Sequence, residues 1–148
     1  MHLADLGADV IVVDGMQGGT AATQDVFIEH VGIPTLCAIP LAVQALQELG
    51  LHREVQLIVS GGIRTGADVA KALALGADAV SIGTAALIAM GDNSPDYEAE
   101  YQKIGSSAGY YDDWQAGRDP TGISTQDDEL AARFDPELGG RKVANYLR

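Results

Sequence analysis

Apolar and polar positions alternate along this chain in short blocks of two kinds. Ala8 to Val13, Gln56 to Ser60 with Val55 just ahead, and Ala79 to Ile82 are brief β-rich apolar runs that predict buried strands. In the first of them the alternation is too weak for a one-sided sheet, so it is expected to be covered on both faces. Helical spacing fills the gaps between these runs. Thr20 to Val31 carries Val26, Phe27, Ile28 and Val31 and is closed by Gly32 and Pro34, while Leu41, Ala45, Leu46 and Leu49 form a stripe opened by Pro40 and stopped by Gly50. Thr65-Gly66-Ala67-Asp68 is a capping box for a helix carrying Val69, Ala72 and Leu73, with Gly76 as its stop. Met1 to Gly7 has the look of a helix end, and Pro34 to Ile39 is expected to be a short strand or ordered loop.

Strand, turn, helix and strand recurring in this order are the signature of parallel α/β architecture, and the lack of a G-x-G-x-x-G spacing lowers the Rossmann alternative. Past Gly91 the pattern changes. Asp92 to Gly122 is acidic, rich in Gly, Ser and Tyr and without a sustained period, apart from a helical stretch at Tyr97 to Ile104. Thr125-Gln126-Asp127-Asp128 reads as a second capping box before Leu130, Ala131 and Phe134, and Gly139 to Arg148 as a last helix with Val143, Tyr146 and Leu147 on one side. The expected division is therefore residues 1–91, an α/β part, and residues 92–148, a tail with an irregular excursion and helices. A complete (β/α)8 barrel needs roughly 200 residues, so a 148-residue chain is expected to be a piece of one.

The strand ends carry the chemistry. Val59-Ser60-Gly61-Gly62-Ile63-Arg64-Thr65-Gly66 and Ser81-Ile82-Gly83-Thr84-Ala85 each join a strand to a helix-like stretch, which brings backbone N–H groups together where an anion would sit. Gly62 and Gly83 let the backbone approach phosphate oxygens with no Cβ in the way, and Arg64 adds a charge-assisted donor. The plainer reading is a pair of ordinary βα turns. A third loop, Val13-Asp14-Gly15-Met16-Gln17-Gly18-Gly19-Thr20-Ala21-Ala22-Thr23, follows the first strand. There Asp14, Gln17 and Thr20 are positioned to bond a flavin or polar substrate, and Gly18 and Gly19 to admit a flat ring; otherwise the loop is a solvated turn capped by Thr20.

A net charge of −12 excludes nucleic acid and anionic membranes as main partners, since both need basic patches. No apolar run approaches the roughly twenty residues of a membrane span, the first residues lack the regions of a signal peptide, and a cytoplasmic location is expected. Cys37 is the only cysteine, which excludes an internal disulfide and a cysteine-rich metal site, and its apolar setting predicts a buried thiol. His2, His30 and His52 fall on helix or linker stretches, so no metal site is expected and no catalytic acid or base is assigned.

Together the three loops resemble the FMN-binding domain of the glutamate synthase family. Asp14-Gly15-Met16-Gln17-Gly18-Gly19-Thr20-Ala21-Ala22-Thr23-Gln24-Asp25, with Thr125-Gln126-Asp127 downstream, looks most like its N-methylglutamate synthase branch, the large subunit of methylamine-glutamate N-methyltransferase. The resemblance implies a (β/α)8 (TIM) barrel of which about the last three strands are present. It places the FMN phosphate at Gly61, Gly62, Arg64, Gly83 and Thr84, and the flavin ring and substrate near Asp14, Gln17, Gly18, Gly19 and Thr20. It implies an imine made from 2-oxoglutarate and an amine, reduced at the flavin to glutamate or N-methylglutamate, with accessory synthase subunits as partners. The chain departs from the family in one respect: the cysteines that hold an iron–sulfur cluster in many members are absent, the last of them falling at Asp119, so no such cluster is expected. A barrel enzyme taking a phosphorylated substrate, similar to IMP dehydrogenase, and an inactive truncated fragment are the alternatives.

Overall fold

The computed structural model describes residues 7–19, 25–105 and 118–148. The chain divides into two compact units, Met1–Ile82 and Gly83–Arg148. Residues 1–6 and 20–24, where the sequence predicts a helix end and a helix start, lie outside the described residues.

The first unit is built on a parallel sheet of β1 (Val10–Asp14), β2 (Gln56–Ser60) and β3 (Ala79–Val80), with β2 in the middle. Register pairs Ile11 with Leu57, Val13 with Val59 and Asp14 with Ser60, so β1 and β2 end level with one another. The helices of this unit are α1 (Asp25–His30), α2 (Thr35–Glu48) and α3 (Gly66–Ala74). Leu57 and Val59 of β2 close over Ile39 and Leu46 of α2 and Ala72 of α3, with Ile11, Val13 and Val80 packed against the same cluster. Full burial of Ile39, Leu57 and Val59 stabilises the unit by about 1.5–3 kcal/mol each.

The two-sided burial expected of the first strand is not found. Val10 and Val12 are 48% and 59% exposed, because the helices cover only the face that carries Ile11 and Val13. Pro34 to Ile39 is not a strand or loop either. Pro34 is the N-cap of α2, the amides of Cys37 and Ala38 both donate to its carbonyl, and Pro40 sits inside the helix instead of opening it. Burial explains the extra turn: Thr35, Ile39 and Leu46 recur at helical spacing against the sheet, and that contact outweighs the one hydrogen bond Pro40 cannot donate. The same register turns Cys37 away from the sheet, so the thiol expected in the core is exposed.

In the second unit α4 (Thr84–Met90) ends on Gly91 at φ +118°, and packs against α7 (Pro136–Tyr146). A 3-10 turn (Pro95–Tyr97) leads into α5 (Glu98–Lys103), matching the helical stretch foreseen there. The second capping box is displaced by two residues. Asp127 caps α6 (Asp128–Ala131) by accepting from the amides of Glu129 and Leu130, while the Thr125 hydroxyl accepts from the Asp127 amide. Likewise α7 begins three residues before Gly139, with Asp135 as N-cap and Pro136 in the first turn.

Candidate functional site

At the carboxyl end of the first sheet two loops are tied into one surface. The Gly15 amide donates to the Ser60 carbonyl across the strand ends (3.1 Å), the Gly18 amide returns to the Gly15 carbonyl (2.8 Å), and the Met16 amide reaches Ile33 (2.9 Å). Thr35, the first residue of α2 and only 6% exposed, joins the rest. Its amide donates to Oε1 of Gln17 at 2.9 Å, and its hydroxyl lies 3.0 Å from the same Oε1 and 2.9 Å from the Gly61 carbonyl. A single hydroxyl hydrogen serves one of these acceptors at a time, whereas the amide N–H bonds Gln17 whichever way the hydroxyl turns. Gln17 thus satisfies an otherwise orphaned donor of α2 from eighteen residues upstream.

Glycine is required where these segments cross. A Cβ on Gly15 would run into Thr35, and one on Gly18 into the Asp14 carboxylate. Gly61 and Gly62 have φ of +98° and +75°, and a Cβ on Gly61 would meet the Gly18 amide nitrogen at 2.9 Å and Thr35 Oγ1 at 3.0 Å. Among the described residues the amides of Gly61, Gly62 and Ile63 on this turn find no acceptor. The next two donors are already taken. Asp68 accepts from the amides of Arg64 (3.2 Å) and Thr65 (3.0 Å) and from the Thr65 hydroxyl (2.9 Å), completing the foreseen capping box at the head of α3. These bonds, the Thr65 hydroxyl first, with Lys71 nearby, hold the Asp68 carboxyl below its ordinary range.

The two loops and the heads of α2 and α3 surround a cleft of about 190 Å³. Pro34, Leu36, Ile39, Ile63 and Ala72 give it an apolar floor; Gln17, Thr35, Asp68 and the glycine backbone give it a polar rim. Drug-sized ligands occupy about 300–1,000 Å³, so the cleft has room for part of such a molecule.

Of the residues foreseen in the sequence, Asp14, Gln17, Gly18, Gly61 and Gly62 are brought together here, and Gly19 follows Gly18 at φ +111°. Arg64 is exposed on the same turn, and Thr20 lies outside the described residues. Gly83 and Thr84 open α4 in the other unit, where a Cβ on Gly83 would meet nothing within 4 Å. Thr35 and Asp68 were not foreseen as part of the site. Thr35 was hidden by the strand reading of its segment, although the Pro34-Thr35 pair before an apolar stripe is a usable helix-start signal. Among the described residues no three of His, Cys, Asp and Glu gather into a metal site, and no helix is long and apolar enough to cross a membrane.

In the second unit Asp119 organises the loop that follows it. Its carboxylate accepts from the amides of Thr121, Ile123 and Ser124 (3.0, 2.9 and 2.7 Å), from the Thr121 hydroxyl and, at 3.2 Å, from Tyr101. Partial burial pushes this carboxyl up, and the Ser124, Thr121 and Ile123 bonds outweigh burial, leaving it below the usual carboxylate range.

Comparison with known proteins supplies a frame for these features. A family model described as the conserved region in glutamate synthase matches residues 1–94. The glutamate synthase large subunit-like protein of Rhizobium meliloti is 72% identical over 142 residues, covering 96% of this chain and 32% of that protein. The archaeal glutamate synthase (NADPH) of Methanocaldococcus jannaschii is 46% identical over 146 residues, or 99% of this chain and 26% of its own length. The chloroplastic ferredoxin-dependent glutamate synthase of Oryza sativa subsp. japonica is 34% identical over 140 residues, 95% of this chain and 8% of its own. The chain spans about a third or less of these relatives, and it belongs to the glutamate synthase family.

Proposed function

We propose that this chain is the carboxyl-terminal part of an FMN-binding (β/α)8 barrel in a cytoplasmic glutamate synthase-like enzyme. The observation that carries this reading is the pair of glycine turns at the ends of β1 and β2, whose loops meet over one cleft with three backbone amides left to donate. These residues fit a flavin mononucleotide. The amides of Gly61, Gly62 and Ile63, with Arg64, suit its phosphate, and Gln17, Gly18 and Gly19 with Asp14 and Thr20 suit the ring or the 2-oxoacid. Gly83 and Thr84 join the phosphate contacts in this reading on sequence grounds. Asp68 limits where the phosphate goes: its carboxylate holds the head of α3, so the anion belongs at the Gly61–Ile63 amides instead.

Bound there, FMN supplies the two-electron reduction of a carbon–nitrogen double bond. The chain's own part is to bind and orient. Its glycine backbones admit the ligand closely, its apolar floor offers a nonpolar contact, and Thr35 holds Gln17 in place. The substrates in this reading are 2-oxoglutarate or glutamate and an amine, and the product is glutamate or N-methylglutamate; the N-methyl branch rests on the wording of Asp14 to Asp25. Several relatives carry NADPH in their names and one ferredoxin, which supports an external electron donor and accessory subunits. With Cys37 alone, no cluster of this chain's own thiolates relays those electrons.

The test is a flavin titration followed by absorbance, with Gly83→Asp as comparator, in the whole protein that contains this chain. Tight FMN binding that Gly83→Asp abolishes with the melting temperature unchanged supports the reading, because the site of the new side chain is open. Equal affinity in the variant overturns the phosphate assignment, and binding of a phosphorylated substrate without flavin favours the IMP dehydrogenase-like alternative. Incubation with 2-oxoglutarate and either ammonia or methylamine under reducing conditions then separates glutamate from N-methylglutamate as product.

A further inference from the structure

Gln17 carries an amide whose two ends are chemically opposite, and the fold dictates which end is used up. Its partner at 2.9 Å is the backbone N–H of Thr35, which can only donate, so the atom facing it is the oxygen. The Thr35 hydroxyl reinforces this at 3.0 Å or bonds the Gly61 carbonyl at 2.9 Å, and in either state it holds the β1 loop against the β2 loop. The other end, the Nε2 amino group, makes no hydrogen bond among the described residues, although Gln17 lines the cleft. Rotating the amide by half a turn would put that amino group against the Thr35 N–H, donor against donor, and is disfavoured accordingly.

We infer that Thr35 is a positioning residue that fixes the polarity of Gln17, so that Gln17 acts on the ligand as a hydrogen-bond donor and selects an acceptor oxygen or nitrogen at that point. The inference deepens the flavin reading and rests on it for the identity of the ligand. The atom that Gln17 faces is a flavin-ring acceptor or a carboxylate oxygen of the 2-oxoacid, and not a hydroxyl or amine that needs an acceptor. Gly61 and Gly62 serve the same arrangement, since a Cβ on Gly62 would meet Gln17 Cβ at 2.9 Å and push the side chain off the cleft rim.

Two substitutions in the whole protein separate the ends of the amide. Gln17→Glu keeps an oxygen for the Thr35 N–H and removes the donor; Gln17→Met removes both without adding charge. Amide hydrogen exchange at Thr35, read without ligand, is expected to stay slow in wild type and Gln17→Glu and to speed up in Gln17→Met. FMN affinity, by fluorescence quenching, and 2-oxoglutarate affinity, by its perturbation of the bound-flavin spectrum, distinguish the two acceptors. The affinity for one of them is expected to fall by about tenfold or more in both variants, the loss of one good hydrogen bond. Thr35→Ser, which keeps hydroxyl and amide, should restore wild-type values, while Thr35→Val should bind several-fold more weakly.

Weak binding by Gln17→Met alone overturns the donor role and leaves Gln17 a cap for α2. Weak binding by Gln17→Glu alone reports charge repulsion and overturns it equally. Fast exchange at Thr35 in wild type overturns the positioning by Thr35. A wild-type protein that takes no FMN fails the flavin reading instead, and the polarity of Gln17 then stands or falls on the exchange data.

Discussion

Glycine at position 61 is required for two independent reasons, its positive φ and the closeness of Gly18 and Thr35. Gly61→Ala is therefore expected to cost about 1–3 kcal/mol of stability, read by urea unfolding, and to weaken ligand binding as well. Gly66→Ala, on the same turn but with nothing within 4 Å of the new methyl group, serves as control and should be neutral or stabilising. Asp119 makes a second residue-scale case. Its folded carboxyl titrates below the ordinary value of 3.8, so its contribution to stability is complete above that value and is lost as pH falls through the folded one. Asp119→Asn keeps one acceptor oxygen and turns its amino group either to the Thr121 amide or to the Ile123 and Ser124 amides, donor against donor in both cases, and should cost about 1–3 kcal/mol at neutral pH while flattening the decline below pH about 4. Thermal unfolding across pH 3–7 checks both; an unchanged acid limb in the variant would remove Asp119 from the account.

At the scale of elements, α2 shows packing extending a helix by more than a turn ahead of the proline that the sequence reads as its opening. Pro40 is exposed inside the helix, so it contributes no core contact and removes one backbone bond to the preceding turn. Pro40→Ala is expected to stabilise the first unit by about 1–2 kcal/mol, after the greater freedom of the unfolded chain is set against the restored bond. A lower melting temperature would show that the proline ring is needed for packing. The caps of the second unit differ from their sequence reading for an electrostatic reason. Asp127 offers a carboxylate to the Glu129 and Leu130 amides at a helix N-terminus, where negative charge is favoured, and Thr125 is left to a turn. Asp127→Ala should accordingly cost about 1 kcal/mol and Thr125→Ala less.

For the molecule as a whole, the first sheet presents two unsatisfied surfaces. Among the described strands β1 lies at an edge beside β2 alone, and its outward valines are about half exposed or more. Open edges and apolar faces pair with other chains. The 148-residue chain by itself is expected to self-associate in sedimentation velocity, and Val10→Lys with Val12→Lys to reduce that association without loss of helix content. A monodisperse wild-type monomer would contradict this expectation. In the proposed barrel the same face points inward, which accounts for its apolar character.

What the sequence determined by itself is what local chemistry controls: strands at Val10, Gln56 and Ala79, the Thr65–Asp68 cap, the glycine stops and the loops that carry the candidate site. These are legible because spacing, capping and backbone freedom act over a few residues. The tertiary structure decided which apolar face is covered, where α2 begins, that Cys37 faces outward, and that Thr35 meets both Gln17 and Gly61 across eighteen and twenty-six residues. Those outcomes depend on contacts between segments distant along the chain. The burial of Ile39 against Leu57 and Val59, which no local window contains, sets the register of α2 and thereby brings Thr35 to the site.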